Sequence, residues 1–451
     1  MELDQNFLNR LNSVAAEDRH AAVLELASLR ESGGWTPPPT RPWMNLHAHT
    51  FHSYNSNGWS PSRLAYEALA AGLEILGTVD FDVLDAAPEI LEVGEALGLR
   101  TVAGLESRVF VSELAEVEIN SPGEPGIAYF MLTGCTSLPE PGTPAEETLS
   151  RLKTIAQSRN QAMIDKINAV LDPVRIDYTS EVLPRTPSGN PTERHLVEAF
   201  DRKAREVFDG DPQSLVAFWS ERFALPKEEV EALLEQTVPF QETLRSKLMK
   251  RGGVGYIEPE PSRFPPVEEM IQLGKAIGAL PTVAWLDGTS PGEEDALSLL
   301  ELFIEKGVEA LNIIPDRNWN LKNPEEKRIK VAKLAEVVRA ARDLHLPLSI
   351  GTEMNKAGQP FVDNFEASEL EPFVEDFRRG GRTLWGHTLL ARAIGFGWMS
   401  RAAEAEFGDN RGERLSFFHE VGRRLQAGTG SLDILRKVEP NRSALFSAMG
   451  A

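Results

Sequence analysis

Seven short apolar runs, separated by stretches with helical patterning and mostly ending in a polar residue, constrain this chain more than any other feature. They fall at 43–46, 75–79, 101–105, 127–133, 280–286, 310–315 and 346–351. Apolar runs of this length bounded by turn signals read as buried strands, and their alternation with helices predicts a parallel α/β sheet or barrel. Helix starts between them are marked by a capping residue followed by Pro, at Ser60-Pro61, Thr143-Pro144, Ser290-Pro291 and Asn323-Pro324. In the last three, Glu146, Glu293 and Glu326 stand three residues after the cap, as in a capping box.

The alternation is interrupted between 140 and 260, which is charged, amphipathic and helix-like. The expected organisation is therefore a helical leader with a Pro-rich turn at 1–42, the first part of a barrel at 43–139, a helical insertion at 140–260, the second part of the barrel at 261–400 and a helical extension at 401–451. No internal repeat or low-complexity tract is visible. A chain of 451 residues has room for one large barrel with such additions. Its hydrophobic fraction of 41% and charged fraction of 25% are those of a folded globular protein.

Charge and cysteine content exclude several classes of function. A net charge of −21 argues against binding a phosphate backbone, which depends on Lys and Arg. Cys135 is the only cysteine, so neither an intrachain disulfide nor a thiolate zinc cluster is possible. No apolar run approaches spanning length, and the first residues lack the basic-then-apolar pattern of a secretory signal. The expectation is a cytoplasmic protein without nucleic-acid or membrane partners.

The chemistry is concentrated at the ends of the early runs. His47 and His49 are one residue apart at the end of the first, and alternate side chains of a strand point the same way, so two imidazoles can face one metal ion. Such a pair can equally be a hydrogen-bonded strand end. Asp80 and Glu106 follow the second and third runs, adding carboxylates at the same level. Asp80 alone could instead be a loop cap.

These motifs, taken in order, resemble the polymerase and histidinol phosphatase (PHP) family. The resemblance begins with His47-Ala48-His49-Thr50 and continues through Gly58-Trp59-Ser60-Pro61, Thr78-Val79-Asp80-Phe81-Asp82 and Val102-Ala103-Gly104-Leu105-Glu106. It weakens after about residue 135. Thr192-Glu193-Arg194-His195 resembles a later Arg/His helix start, and Gly351-Thr352-Glu353-Met354-Asn355 stands where the family has its last G-x-D-x-H strand end. The resemblance implies a distorted (β/α)7 barrel with metals at the C-terminal ends of its strands. It also implies a ligand set of His47, His49, Glu106 and Glu353, with Asp80 and His195 either supporting a second ion or serving as base and acid.

Departures from the family pattern narrow this. Phe81 replaces one histidine, Tyr129 or Phe130 and Trp285 fall where others are usual, and Asn355 and Glu353 replace the last histidine and aspartate. One or two divalent ions, Zn, Mn or Fe, are expected rather than three. The resemblance implies a metal-dependent hydrolase, with a phosphoesterase acting on a small anionic substrate through a metal-activated water as the leading reading. A mononuclear enzyme acting on a sugar-like or amide carbonyl, or a noncatalytic ligand-binding scaffold, are the alternatives. Arg63, Arg108, Arg185 and Arg194 are candidate anion clamps, and Trp59, Trp285 and Trp385 candidate apolar walls. His52 and His387 could line a pocket or be hydrogen-bonded structural groups.

Overall fold

Each apolar run becomes a strand: β1 Met44–Ala48, β2 Ile75–Phe81, β3 Arg100–Phe110, β4 Ile127–Thr133, β5 Leu280–Trp285, β6 Ala310–Ile313 and β7 Leu348–Ile350. The computed structural model describes residues 3–258, 260 and 263–448. The first two residues of the expected leader, Pro259 in the insertion, Pro261 and Ser262 after it, and the last three residues of the expected extension lie outside the described residues. The strands pair in sequence order, β1 to β7, in one sheet that curls into a nearly closed barrel surrounded by helices. A sheet buried on both faces explains why the runs are almost continuously apolar.

The sheet is mixed, not parallel throughout. β4 runs antiparallel to both β3 and β5, while the other neighbours are parallel. A parallel return would require a crossover, usually a helix, and the link from β3 to β4 holds only the single 3-10 turn Ser112–Leu114. β3 is also longer than expected, continuing four residues past Glu106 to pair with β4 as a hairpin.

The barrel closes through a single bridge. The backbone N–H of Glu353 donates to His47 O at 2.7 Å and that of His49 donates to Glu353 O at 2.8 Å. The buried carboxamide of Asn45 reinforces this seam by donating to Thr352 Oγ1 and Phe361 O and accepting from the His47 N–H. Gly351 permits the approach, since a Cβ there would lie 2.4 Å from His47 N.

Three of the four expected helix starts form as read. Ser60 caps Pro61–Ala70, Asn323 caps Pro324–Asp343, and Thr143 precedes Pro144–Asn168. Ser290-Pro291 does not start a helix. Glu293 is buried and accepts the backbone N–H groups of Leu286, Asp287 and Gly288, so it folds the turn after β5, and the helix begins at Ala296 under an Asp295 cap.

The described chain divides into two compact units. The first contains the barrel and comprises Met1–Phe51, Asn55–Ser150 and Phe264–Ala451; the second comprises His52–Tyr54 and Arg151–Arg263. The second has its own helical core, in which Trp219 stacks on Phe223 with ring centroids 4.9 Å apart and meets Phe240 edge-on at 5.5 Å. No helix among the described residues is long and apolar enough to cross a membrane.

Within the first unit, helix Val374–Ile394 crosses helix Arg411–Arg424 at a distance only glycine allows. A Cβ on Gly386 would lie 2.1 Å from Phe418 O, and one on Gly422 would lie 1.9 Å from Arg382 O. Alanine ordinarily stabilises a helix relative to glycine by about 1 kcal/mol. Here the clash reverses the sign, and Gly422→Ala is expected to cost about 2 kcal/mol or more. Gly430→Ala, where nothing lies within 4 Å, should be neutral or stabilising. Calorimetric unfolding of the two variants checks this, and equal melting temperatures would refute the close crossing.

Candidate metal centre

The site begins with an irregularity in β1. Its pairing with β2 shifts register between Asn45 and Ala48, so an extra residue bulges beside His47 and re-aims the strand end. His47 and His49 then converge on the carboxylate of Glu106, which β3 holds opposite Phe81 at the end of β2. His47 Nε2 lies 3.3 Å and His49 Nε2 3.2 Å from the same oxygen, Glu106 Oε2. All three residues are buried, and their ligating atoms lie within 4.8 Å of one another.

The tautomer of His47 is set from behind. Asn312, on β6, donates its Nδ2 to Ser349 O at 2.9 Å, which turns its Oδ1 toward His47 Nδ1 at 3.2 Å. An acceptor there requires Nδ1 to carry the proton, so in the neutral ring the Nε2 lone pair faces a carboxylate oxygen. That arrangement is repulsive unless a proton or a metal cation lies between. Burial is the largest influence and disfavours both charged forms, but Glu106, Glu353 and Asn312 together raise the His47 imidazole above its ordinary range, and His47 and His49 together hold Glu106 down at about 2.

The donor set also fits a metal. Imidazole and carboxylate ligands bind zinc at about 2.0–2.2 Å, which places neighbouring donors of a tetrahedron about 3.4 Å apart. The observed 3.2 and 3.3 Å match that edge and exceed a charge-assisted hydrogen bond of about 2.7–2.9 Å. Phe81 packs on the His49 ring at 4.2 Å, an apolar wall where a further ligand would stand in the resembled family.

The other expected site residues are placed differently. Asp80 is buried and accepts from the Thr50 N–H at 2.8 Å and Thr50 Oγ1 at 2.7 Å, pinning the chain just after His49. Glu353 is gripped by Arg317, whose Nη2 reaches both carboxylate oxygens at 2.9 and 3.0 Å, and accepts from Gln359 Nε2 at 2.8 Å. Its charge still acts on His47. His195 belongs to the second unit, at the third position of helix Glu193–Val207. Its Nδ1 accepts the Thr192 N–H at 3.0 Å, and burial and then Arg185 push its pKa down to about 3. It is therefore a neutral capping residue with its Nδ1 occupied. Among the described residues, only His47, His49 and Glu106 form a compact ligand group.

The candidate clamps and walls also resolve. Arg63, Arg108, Arg185 and Arg194 pair with Glu67, Glu124, Glu198 and Glu242. His387 is buried, its Nε2 on Gly134 O and its Nδ1 accepting from Trp398 N, which makes it structural. Trp285 and Trp385 are buried in the core.

Two polar residues outside the quoted motifs, Asn312 and Arg317, adjoin the site, as does Asp82 from the Thr78-Val79-Asp80-Phe81-Asp82 motif. Asn312 is a lone carboxamide in the apolar run 310–315, which was its available signal. Arg317 follows β6 and keeps 42% of its side chain exposed while paired with Glu353. Asp82 has φ +58° and donates its N–H to Glu106 O at 2.8 Å. Burial raises the Asp82 carboxyl to about 6 against the opposing pull of Ser107, which donates at 2.6 Å, and Arg108.

No family model matches the chain, and a search of curated proteins returns no match. Solved structures that resemble the chain in part include the following two. One, from Bifidobacterium adolescentis, is provisionally named a metal-dependent phosphoesterase; it is 15% identical, with 75% of this chain and 97% of that chain covered and a TM-score of 0.45. The other, an amidohydrolase from Chromobacterium violaceum solved with bound sulfate and no metal, is 14% identical, with 74% and 95% covered and a TM-score of 0.47. Fold and site together define an α/β barrel of seven strands with a buried His-His-Glu group where β1, β2 and β3 meet.

Asp82 gives a pH signature. Its folded-state value lies above the ordinary 3.8, so the neutral carboxyl contributes stability that is fully present below 3.8 and lost as pH rises through about 6. In chelator-treated protein, Asp82→Asn should flatten the fall in unfolding free energy across that window. An unchanged slope in the variant would place the titration elsewhere.

Proposed function

We propose that this protein is a divalent-metal-dependent hydrolase of small anionic substrates, with phosphate esters as the first class to test. The observation that carries the reading is the convergence of His47 Nε2 and His49 Nε2 on Glu106 Oε2, with the Asn312 carboxamide aiming the His47 lone pair at the same point. These three residues would hold the ion. When bound, such an ion lowers the pKa of a coordinated water and offsets charge on a substrate oxygen.

The remaining groups are suited to the substrate. Arg317 spends only Nη2 on Glu353, leaving Nη1 and Nε as donors on a part-exposed guanidinium, a geometry that suits a phosphate or carboxylate. Glu353 then acts as the residue that positions Arg317. Asp82, with a pKa of about 6, can hold or release a proton at its carboxyl near neutral pH, the property a general acid or base needs. The apolar face of Phe81 against His49 keeps water from that side of the ring.

Metal content after purification without chelator, followed by a panel of small phosphate monoesters and diesters, tests the reading. Bound Zn, Mn or Fe near one per chain is expected, and His49→Ala should lose the metal and at least 100-fold in kcat/KM. Asn312→Leu should weaken metal binding about 10- to 100-fold with the ligands intact. Arg317→Gln should act mainly through KM. A purified protein that neither contains nor takes up these metals, or activity that survives His49→Ala, would sink the proposal.

A further inference from the structure

At the opposite end of β2 and β3 from the metal centre lies a second concentration of charge. Glu74, just before β2, is buried and receives the guanidinium of Arg100, the first residue of β3, together with Nε and Nη2 of Arg382 at 2.7 and 3.1 Å. Arg30 faces the same space, and no carboxylate among the described residues offsets it; burial alone pushes its guanidinium down. Arg100 and Arg382 share the Glu74 carboxylate, and with Arg30 the three guanidinium groups exceed that one carboxylate by two positive charges. Arg100 is held down by burial and also by the charge of Arg382.

These groups line a cavity of about 370 Å³ whose rim carries Arg423 and whose walls include Pro38 and Leu99. Arg423 pairs through Nε and Nη2 with Glu420 on its own helix, leaving Nη1 outside that pair. In a chain with a net charge of −21, an excess of positive charge around a cavity is a local inversion that an anion would relieve. The arginines enter from four separate segments of the first unit, so the fold assembles the charge and no basic run in the sequence announces it.

We propose that this cavity is a binding site for a compact multivalent phosphate-bearing anion, separate from the metal centre. Planar guanidinium forks on several sides suit the oxygens of a phosphate or diphosphate group, and the apolar walls leave room for a small organic remainder. The strand geometry keeps the two sites apart. Arg100 and Glu106 are six residues apart on β3, about 20 Å at about 3.3 Å per residue.

Inorganic pyrophosphate is the probe, titrated calorimetrically into the full chain in the presence of EDTA, with citrate as the non-phosphate comparator. The expected result is one binding event, weakened at least tenfold by Arg30→Gln and unaffected by Arg317→Gln. Among the described residues Arg30 has no ion pair to lose, so Arg30→Gln should keep the wild-type melting temperature. Should that variant unfold, Arg423→Gln at the rim must produce the weakening instead. Absence of binding at millimolar pyrophosphate, affinity unchanged in the arginine variants, or loss of binding in Arg317→Gln alone would overturn the site; citrate binding as tightly as pyrophosphate would overturn the phosphate assignment. None of these outcomes depends on the metal.

Discussion

The seam between β1 and the segment after β7 is the interaction on which the rest depends. Two backbone hydrogen bonds between His47, His49 and Glu353 close the barrel, and the same residues belong to or adjoin the candidate metal centre. The Asn45 carboxamide serves both purposes, tying Thr352 and Phe361 across the seam while accepting the His47 N–H. Glu353 and Met354 sit at φ +64° and +60°, in the left-handed region that non-glycine residues rarely adopt. Local backbone strain of this sort, of order 1–3 kcal/mol per residue, persists where surrounding bonds over-determine it. Closure and site geometry are therefore one structural problem with one solution.

The seven strands were legible in the amino-acid sequence because a buried sheet demands apolar runs whatever its topology. The direction of β4 was not, because a run such as Ile127–Thr133 has the same apolar signature either way; only the missing crossover before it carries that information. Ser290-Pro291 misled for a related reason. The local capping pattern was intact, but the buried backbone N–H groups of Leu286, Asp287 and Gly288 needed an acceptor, and Glu293 supplies it. Tertiary demand overrode local propensity.

For the site, His47, His49 and Glu106 could be read from their place at strand ends. Their orientation could not, since it rests on a β-bulge and on the Asn312 carboxamide from β6, 265 residues from His47 in sequence. Arg317 was obscured for the same reason, since nothing near it in sequence points to Glu353; Asp82 stood in the motif that begins at Thr78, but its contact with the Glu106 backbone is a tertiary one. The PHP resemblance rests on the early motifs, and Phe81 against the His49 ring is where the structure gives that departure a physical form.

The reversal of β4 divides the rim of the barrel into two kinds of territory. β1, β6 and the segment after β7 reach the site from far apart in the chain, and a change in β1 or in that last segment disturbs the closure itself. β3 and β4 meet as neighbours in sequence, with Arg108 directly opposite Tyr129 in the register. Their outer halves form a hairpin whose length and side chains can vary without crossing the seam. Sequence change there would leave both the closure and the histidine pair in place.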